Sequence, residues 1–203
     1  MYDEEGISIA IGIIFITAVV WVPIVDFVSK KYSKRLSWLI FASLYLVANI
    51  FLYLFVHPGN DITLYIVFFF MSVMALVPYQ IGWSIIPDCV EIDEYKTGAR
   101  REGLYYGTAN VIQKGGSALA IFIAGLLLQK VGYNTELAAQ TAETMDGVRL
   151  ILVGGTAILT ILGIIFLAIF PLTKAKHGAI VNAIEARKNG EVVDESSFKD
   201  CIR

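Results

Sequence analysis

Apolar residues in this chain come in long continuous blocks rather than in alternation with polar ones. Five blocks stand out, at about residues 7–28, 36–56, 62–86, 104–131 and 148–172. A helix needs roughly 20 apolar residues to cross about 30 Å of hydrocarbon, and every block meets that length. Barrel strands would be about ten residues long and would alternate. The pattern therefore predicts an all-α integral membrane protein. Five transmembrane helices make a bundle over residues 1–172, and residues 173–203 make a polar tail. Within the tail, Ile180, Val181 and Ile184 suit one apolar stripe on a helix lying on the membrane surface; a frayed tail is the alternative. The stretch "NGEVVDESSFKD" reads as disordered.

Composition agrees with this class. The 203 residues are 57% hydrophobic and 17% charged, with a mean hydropathy of +0.68, whereas soluble domains carry about a quarter charged residues. The net charge of -2 is uninformative about nucleic acid, and none is expected as a partner. The positions of the charges say more. Lys30, Lys31, Lys34 and Arg35 share one loop, and Lys96, Arg100 and Arg101 share a second. The tail holds Lys174, Lys176, Arg187, Lys188, Lys199 and Arg203. Alternate crossing puts all three groups on one side. The other side holds "MYDEEG", "HPGND" and "GYNTELAAQTAETMDG", with Lys130 and Arg149 at its margins. Positive residues favour the cytoplasmic side, so the N-terminus is expected outside and the tail in the cytoplasm. Asp3, Glu4 and Glu5 precede the first block, which is not the start of a signal peptide.

Little in the sequence suggests catalysis. Cys89 and Cys201 are placed where thiols stay reduced. His57 and His177 are expected on opposite sides of the membrane. No His, Cys or carboxylate spacing suits a metal, and neither a phosphate loop nor a nucleophile elbow is present. No cofactor is expected, and a membrane enzyme is the weakest reading.

Lys114 is the most informative single residue. It lies about ten residues into the fourth block, or roughly 15 Å deep at 1.5 Å per residue. Its stem is too short to snorkel from that depth. A cationic side chain at the bilayer centre costs about 2.5 to 3.5 kcal/mol and usually faces a carboxylate or a wet cavity; pairing for helix packing alone is the alternative. Asn110, Lys114 and Ser117 are spaced i, i+4, i+7 and share a face. Gly116, Ala120 and Ala124 form a second, small stripe suited to close helix approach. In the third block, Pro78 and Gly82 predict an interruption of the kind that borders binding sites. Tyr79, Gln80 and Trp83 follow the kink, and aromatic faces beside polar groups suit a sugar. The alternative for the aromatics is an interfacial anchor.

Residues 87–103, "PDCVEIDEYKTGARREG", read as a loop in which Asp88, Glu91, Asp93, Glu94 and Glu102 mix with Lys96, Arg100 and Arg101. Such mixing suits ion pairs that form and break between helix ends. A solvated charged loop is the alternative.

From Ile86 to Tyr133 the sequence resembles the glycoside–pentoside–hexuronide:cation symporters, of the melibiose-permease type, within the major facilitator superfamily. The resemblance rests on an Asp followed by an acidic run, a Tyr–Lys pair, a basic–x–Glu element, and a lysine before "GGSA". These are Asp88, Glu91, Glu94, Tyr95, Lys96, Arg100, Glu102 and Lys114 through Ala118. "VDFVSKKYSKR" and "PLTKAKHGAIVNAIEAR" extend a fainter likeness in both directions. The resemblance implies a multi-pass protein of a bacterial-type inner membrane, in contact with membrane lipid. It implies uptake of a sugar or glycoside coupled to Na+ or H+ by alternating access. Lys114 and Asn110, with Tyr79, would line the site shared by sugar and cation. Asp88, Glu91, Glu94, Lys96, Arg100, Arg101 and Glu102 would belong to a cytoplasmic gate. The five blocks look like helices eight to twelve of that family. No deep acid here can pair with Lys114, so a C-terminal fragment, or one piece of a split transporter, is expected, with the N-terminal half as partner. A non-transporting interaction or regulatory protein is the other functional reading.

Overall fold

A computed structural model describes residues 4–56, 61–137, 139–193 and 195–202, with side chains at all of these except 4–8, 10, 11, 61, 75, 76, 78 and 79. The segment holding His57 lies outside the described residues, as do Asp3 and Arg203. The described chain is helical with no strand. Helix α1 (Glu4–Lys31) turns into α2 (Lys34–Phe55) across two residues. Ser33 makes the turn possible: extended at φ -170°, ψ 156°, its hydroxyl accepts from Leu36 N, a cap that contributes about 1 kcal/mol. Then come α3 (Asp61–Met71), α4 (Val73–Val77), a π-helical turn (Pro78–Gly82) and α5 (Trp83–Thr97). Helices α6 (Glu102–Lys130), α7 (Ala142–Ile169) and α8 (Lys174–Lys188) complete the order.

Four helical stretches are long and apolar enough to cross a membrane: Gly12–Lys31, Lys34–Phe55, Glu102–Lys130 and Ala142–Ile169. The third apolar block differs from a single span. It breaks at Ser72, whose hydroxyl donates to Phe69 O at 2.7 Å and lies 2.9 Å from the Thr17 hydroxyl. It breaks again at the π turn, because Pro78 has no N–H to donate and widens the hydrogen-bond register. Its end also differs from expectation. The helix does not stop near residue 86 but runs to Thr97, so most of the charged stretch read as a loop is helical. Gly98 ends it, at φ 71°, with its N–H on Glu94 O at 2.8 Å. Only a glycine takes that conformation without strain.

Packing concentrates where α1, α2 and the broken third block meet. Trp21, Val25, Phe41, Val73, Val77 and Ile81 form one core, pinned by the Trp21 indole N–H on Phe69 O at 2.9 Å. Ala48, Leu52, Leu64 and Val67 form a second, against Val153 of α7. Helices α2 and α7 cap each other. Arg35 at the start of α2 donates to Ala168 O and Phe170 O at the end of α7. Arg149 near the start of α7 donates to Leu52 O, Tyr53 O and Val56 O at 2.5, 2.7 and 2.5 Å. Each guanidinium takes up carbonyls that a helix end leaves unpaired, at the negative end of the helix dipole.

The tail is the clearest departure from expectation. Residues Lys174–Lys188 form a helix that packs on α5, and the following segment folds back over it. Ile180 and Phe198 are fully buried with Tyr95, Leu172 and Ala183, and Phe198 meets Tyr95 edge-on at 5.3 Å between ring centroids. The apolar positions of the tail therefore cover protein rather than lie free, and the stretch read as disordered supplies a core aromatic.

Candidate functional site

One end of the bundle gathers most of the charge. On α5, Asp88, Glu91 and Glu94 recur every three residues and share a face. Each meets basic side chains from other elements. Lys34 donates to both Asp88 oxygens at 2.7 and 2.8 Å. His177 of α8 lies 2.5 Å from Glu91 and 3.5 Å from Asp88. Glu94 is shared by Arg100 at 3.3 Å and by Lys188 of α8 at 3.1 Å. Arg100 also holds Glu102 at 2.6 Å. The α5 carboxylates thus tie together the α1–α2 turn, the α5–α6 connection and the tail helix.

On the opposite side of α5, Asp93 is buried and receives two parallel bonds from Arg101, at 2.8 and 2.5 Å. This fork geometry is the strong form of a carboxylate pair. The Arg101 hydrogen bond holds the Asp93 carboxyl below the usual carboxylate range. Lys96 is exposed and makes no ion pair among the described residues. Arg187 clasps α5 further along, donating to Tyr95 O at 2.8 Å with its guanidinium 3.8 Å from the Tyr95 ring centroid. Burial pushes the Cys89 thiol up, with the Asp88 charge adding to the effect, so the thiol stays protonated and a poor nucleophile. No group of His, Cys, Asp and Glu among the described residues could hold a metal ion.

The α6 face is the opposite case. Asn110, Lys114 and Ser117 are all exposed, and no residue of α6 is buried. The Asn110 amide folds onto its own helix, donating to Tyr106 O at 2.9 Å. Lys114 makes no ion pair with any described residue. Asp26, near the end of α1, is taken by Lys30 at 2.7 Å. Trp83 stacks on Tyr106, 9° from parallel at 6.0 Å between ring centroids. That contact joins α5 to α6 one turn before Asn110. Gln80 sits elsewhere: its amide lies 3.4 Å from Val22 O and lines a cavity of about 490 Å³ with Lys34, Asp88 and His177. The Tyr79 side chain lies outside the described residues. Within this chain the structure therefore joins Trp83 to α6 but does not bring Gln80 to Lys114.

Sequence reasoning missed the tail's part in the charged end. His177, Arg187 and Lys188 fall on α5 because ten or eleven residues make three helical turns, and that spacing was the available signal.

Comparison with known proteins places this geometry in a family. The model of the MFS/sugar transport protein family matches residues 1–174. The chain belongs to that family and is a multi-pass membrane protein. It is similar to an uncharacterized symporter of Synechocystis, 31% identical over 92% of this chain and 35% of the relative. It is similar to an uncharacterized symporter of Bacillus subtilis, 28% identical over 84% of this chain and 36% of the relative. A glucuronide carrier protein homolog of Escherichia coli is 30% identical over 61% of this chain and 30% of the relative. The chain thus spans about a third of the length of these curated relatives. No solved structure matches it.

Proposed function

We propose that this chain forms the C-terminal part of a sugar or glycoside symporter driven by Na+ or H+, and that it works by alternating access with helices outside this chain. The observation that carries this reading is Lys114. A cation sits in the middle of a membrane-length helix, on a face with Asn110 and Ser117, and no described carboxylate meets it. A lipid-facing ammonium at that depth is costly. A water-filled path shared with other helices removes the cost. The membership in a sugar transport family supports the substrate class, and the relative named as a glucuronide carrier homolog supports a glycoside or hexuronide, whose anionic form an ammonium would favour.

In this reading the five apolar blocks are helices eight to twelve of a melibiose-permease-type transporter. The N-terminus is outside and the tail faces the cytoplasm, in a bacterial inner membrane. Lys114, Asn110 and Ser117 line the sugar and cation site, with Tyr79 and Trp83 bordering it. Asp88, Glu91, Glu94, Lys96, Arg100, Arg101 and Glu102 form the cytoplasmic gate, joined by Lys34, His177 and Lys188. Closing that end engages the ion pairs; opening it requires them to part. The protein carries its substrate and does not transform it.

The test is Lys114→Ala in the full-length transporter reconstituted into vesicles. Cation-driven sugar accumulation is expected to vanish while the protein still folds. Accumulation at the unaltered level would overturn the assignment.

A further inference from the structure

The 490 Å³ cavity at the charged end has more positive than negative lining. Lys30, Lys34, Arg35 and Lys174 face Asp26 and Asp88 across it. Two of the cations are neutralised: Lys30 by Asp26 and Lys34 by Asp88, each at 2.7 Å. The other two meet no carboxylate among the described residues. Arg35 donates to the carbonyls that end α7, and Lys174 donates to Lys30 O at 2.7 Å. The N-terminus of the fifteen-residue helix α8, capped by Thr173, opens onto the same space and adds a positive dipole end that favours anions. Gln80 also lines the cavity, but its Oε1 is closed off from solvent and has no hydrogen-bond partner among the described residues.

A second, apolar cavity of about 290 Å³ adjoins the first, with Ile85 and Phe170 lining both. It runs along α7 past Phe166 to Gly163, with Trp38 of α2 as its other wall. From Phe170 to Gly163 it reaches roughly 10 Å into the spanning part of the bundle. Phe166 is 68% exposed. A basic mouth at a helix end, opening into an apolar groove along a membrane span, has the polarity of one amphiphile.

We propose that this cavity and groove bind one anionic phospholipid. The phosphodiester lies between Arg35 and Lys174, and one acyl chain lies along Trp38 and Phe166. The positive mouth selects an anionic headgroup, for which phosphatidylglycerol is the probe. A protein helix supplied from elsewhere could cover an apolar groove too, but it has no use for a phosphate-sized basic mouth at the groove's end. The inference depends on the chain being embedded in a membrane and not on the transport reading.

The experiment uses the full-length protein in vesicles containing a phosphatidylglycerol with a photoreactive diazirine on one acyl chain. Phosphatidylcholine with the same acyl chain serves as control, and the cross-linked peptides are identified by mass spectrometry. Phosphatidylglycerol is expected to label the peptides containing Trp38 and Phe166 well above phosphatidylcholine. Arg35→Gln with Lys174→Gln removes two charge-assisted contacts and is expected to raise the lipid fraction for half-maximal labelling about tenfold. If loss of the Arg35 cap prevents folding, Lys174→Gln alone carries the test, with a shift of about threefold. Equal labelling by both lipids would overturn the headgroup assignment. Absence of label on both peptides would mean that protein covers the groove, which overturns the proposal. Displacement by soluble glycerol phosphate would make the site one for free phosphate and overturn the lipid as occupant.

Discussion

Helices α5 and α6 are chain neighbours and carry comparable polar side chains, yet they treat them in opposite ways. On α5, Asp88, Glu91, Asp93 and Glu94 each meet a basic side chain, and the partners come from the α1–α2 turn, the connection to α6 and the tail. On α6, Asn110 bonds to its own backbone, and Lys114 meets no carboxylate among the described residues. Both sets of groups are expensive to leave unpaired in an apolar setting. The difference shows which network this chain completes by itself. The α5 carboxylates are all paired within the chain, whereas Lys114 on α6 meets no described carboxylate.

That contrast can be broken in several places, starting where the expected effect is largest. Phe198 is buried against Tyr95, so Phe198→Ala should cost the docked tail about 3–5 kcal/mol. The tail helix should then be cut by protease while the membrane bundle stays folded; a tail as resistant as before would show that ion pairs alone hold it. Next is the reciprocal capping of α2 and α7. Arg149→Met strands the carbonyls of Leu52, Tyr53 and Val56 and should cost about 2–3 kcal/mol in thermal unfolding in detergent. Arg149→Lys should recover only part, because the ammonium lacks the planar guanidinium that lies 5.5 Å from the Tyr53 ring centroid while reaching these carbonyls.

The Asp93–Arg101 pair gives a pH signature. Its carboxyl is held below the usual range, so the stabilisation is present above the unfolded value of about 3.9. It is lost only as pH falls through the lower folded value. Trp83, stacked on Tyr106 in the second turn of α6, gives a local fluorescence signal across the α5–α6 connection once Trp21→Phe and Trp38→Phe remove the other two tryptophans. The emission should be flat from pH 5 to 8, about the span of pH between ordinary carboxylate and histidine extremes, and should change in stronger acid. A change already complete above about pH 4 would show that Arg101 does not hold the carboxyl low.

The smallest effects are expected on α6. Lys114→Met in this chain should change stability by no more than about 0.5 kcal/mol, as an exposed substitution away from any partner does. A marked loss of stability would reveal a partner within the chain and dissolve the contrast with α5.

Much of this architecture was legible in the sequence because bilayer thickness sets block length, and the four membrane-length helices fall in the expected blocks. The interruption at Pro78 was legible for a similarly local reason, the missing N–H. The extension of α5 was not. Its acidic residues look like a solvated loop until cations from α8 and the α1–α2 turn are beside them, and that pairing spans nearly a hundred residues of sequence. Nor was the docked tail legible. One phenylalanine in "DESSFKD" carries no periodicity, and only Tyr95 and Ile180 in three dimensions give it a place. Lys114 could be singled out by depth alone, but nothing local says what it faces.

The most direct measurement compares two positions on α6 that are both exposed in this structure. Ser117 shares the face of Lys114; Leu119 lies on the opposite face and is 58% exposed. In the full-length transporter, with Cys89→Ser and Cys201→Ser, single variants Ser117→Cys and Leu119→Cys would be treated in vesicles with a membrane-impermeant thiol reagent. Ser117→Cys should react, because a water-filled path completed by other helices runs along it, and Leu119→Cys should not. Equal reactivity at both positions, or none at either, would contradict the claim that the α6 polar face lines that path.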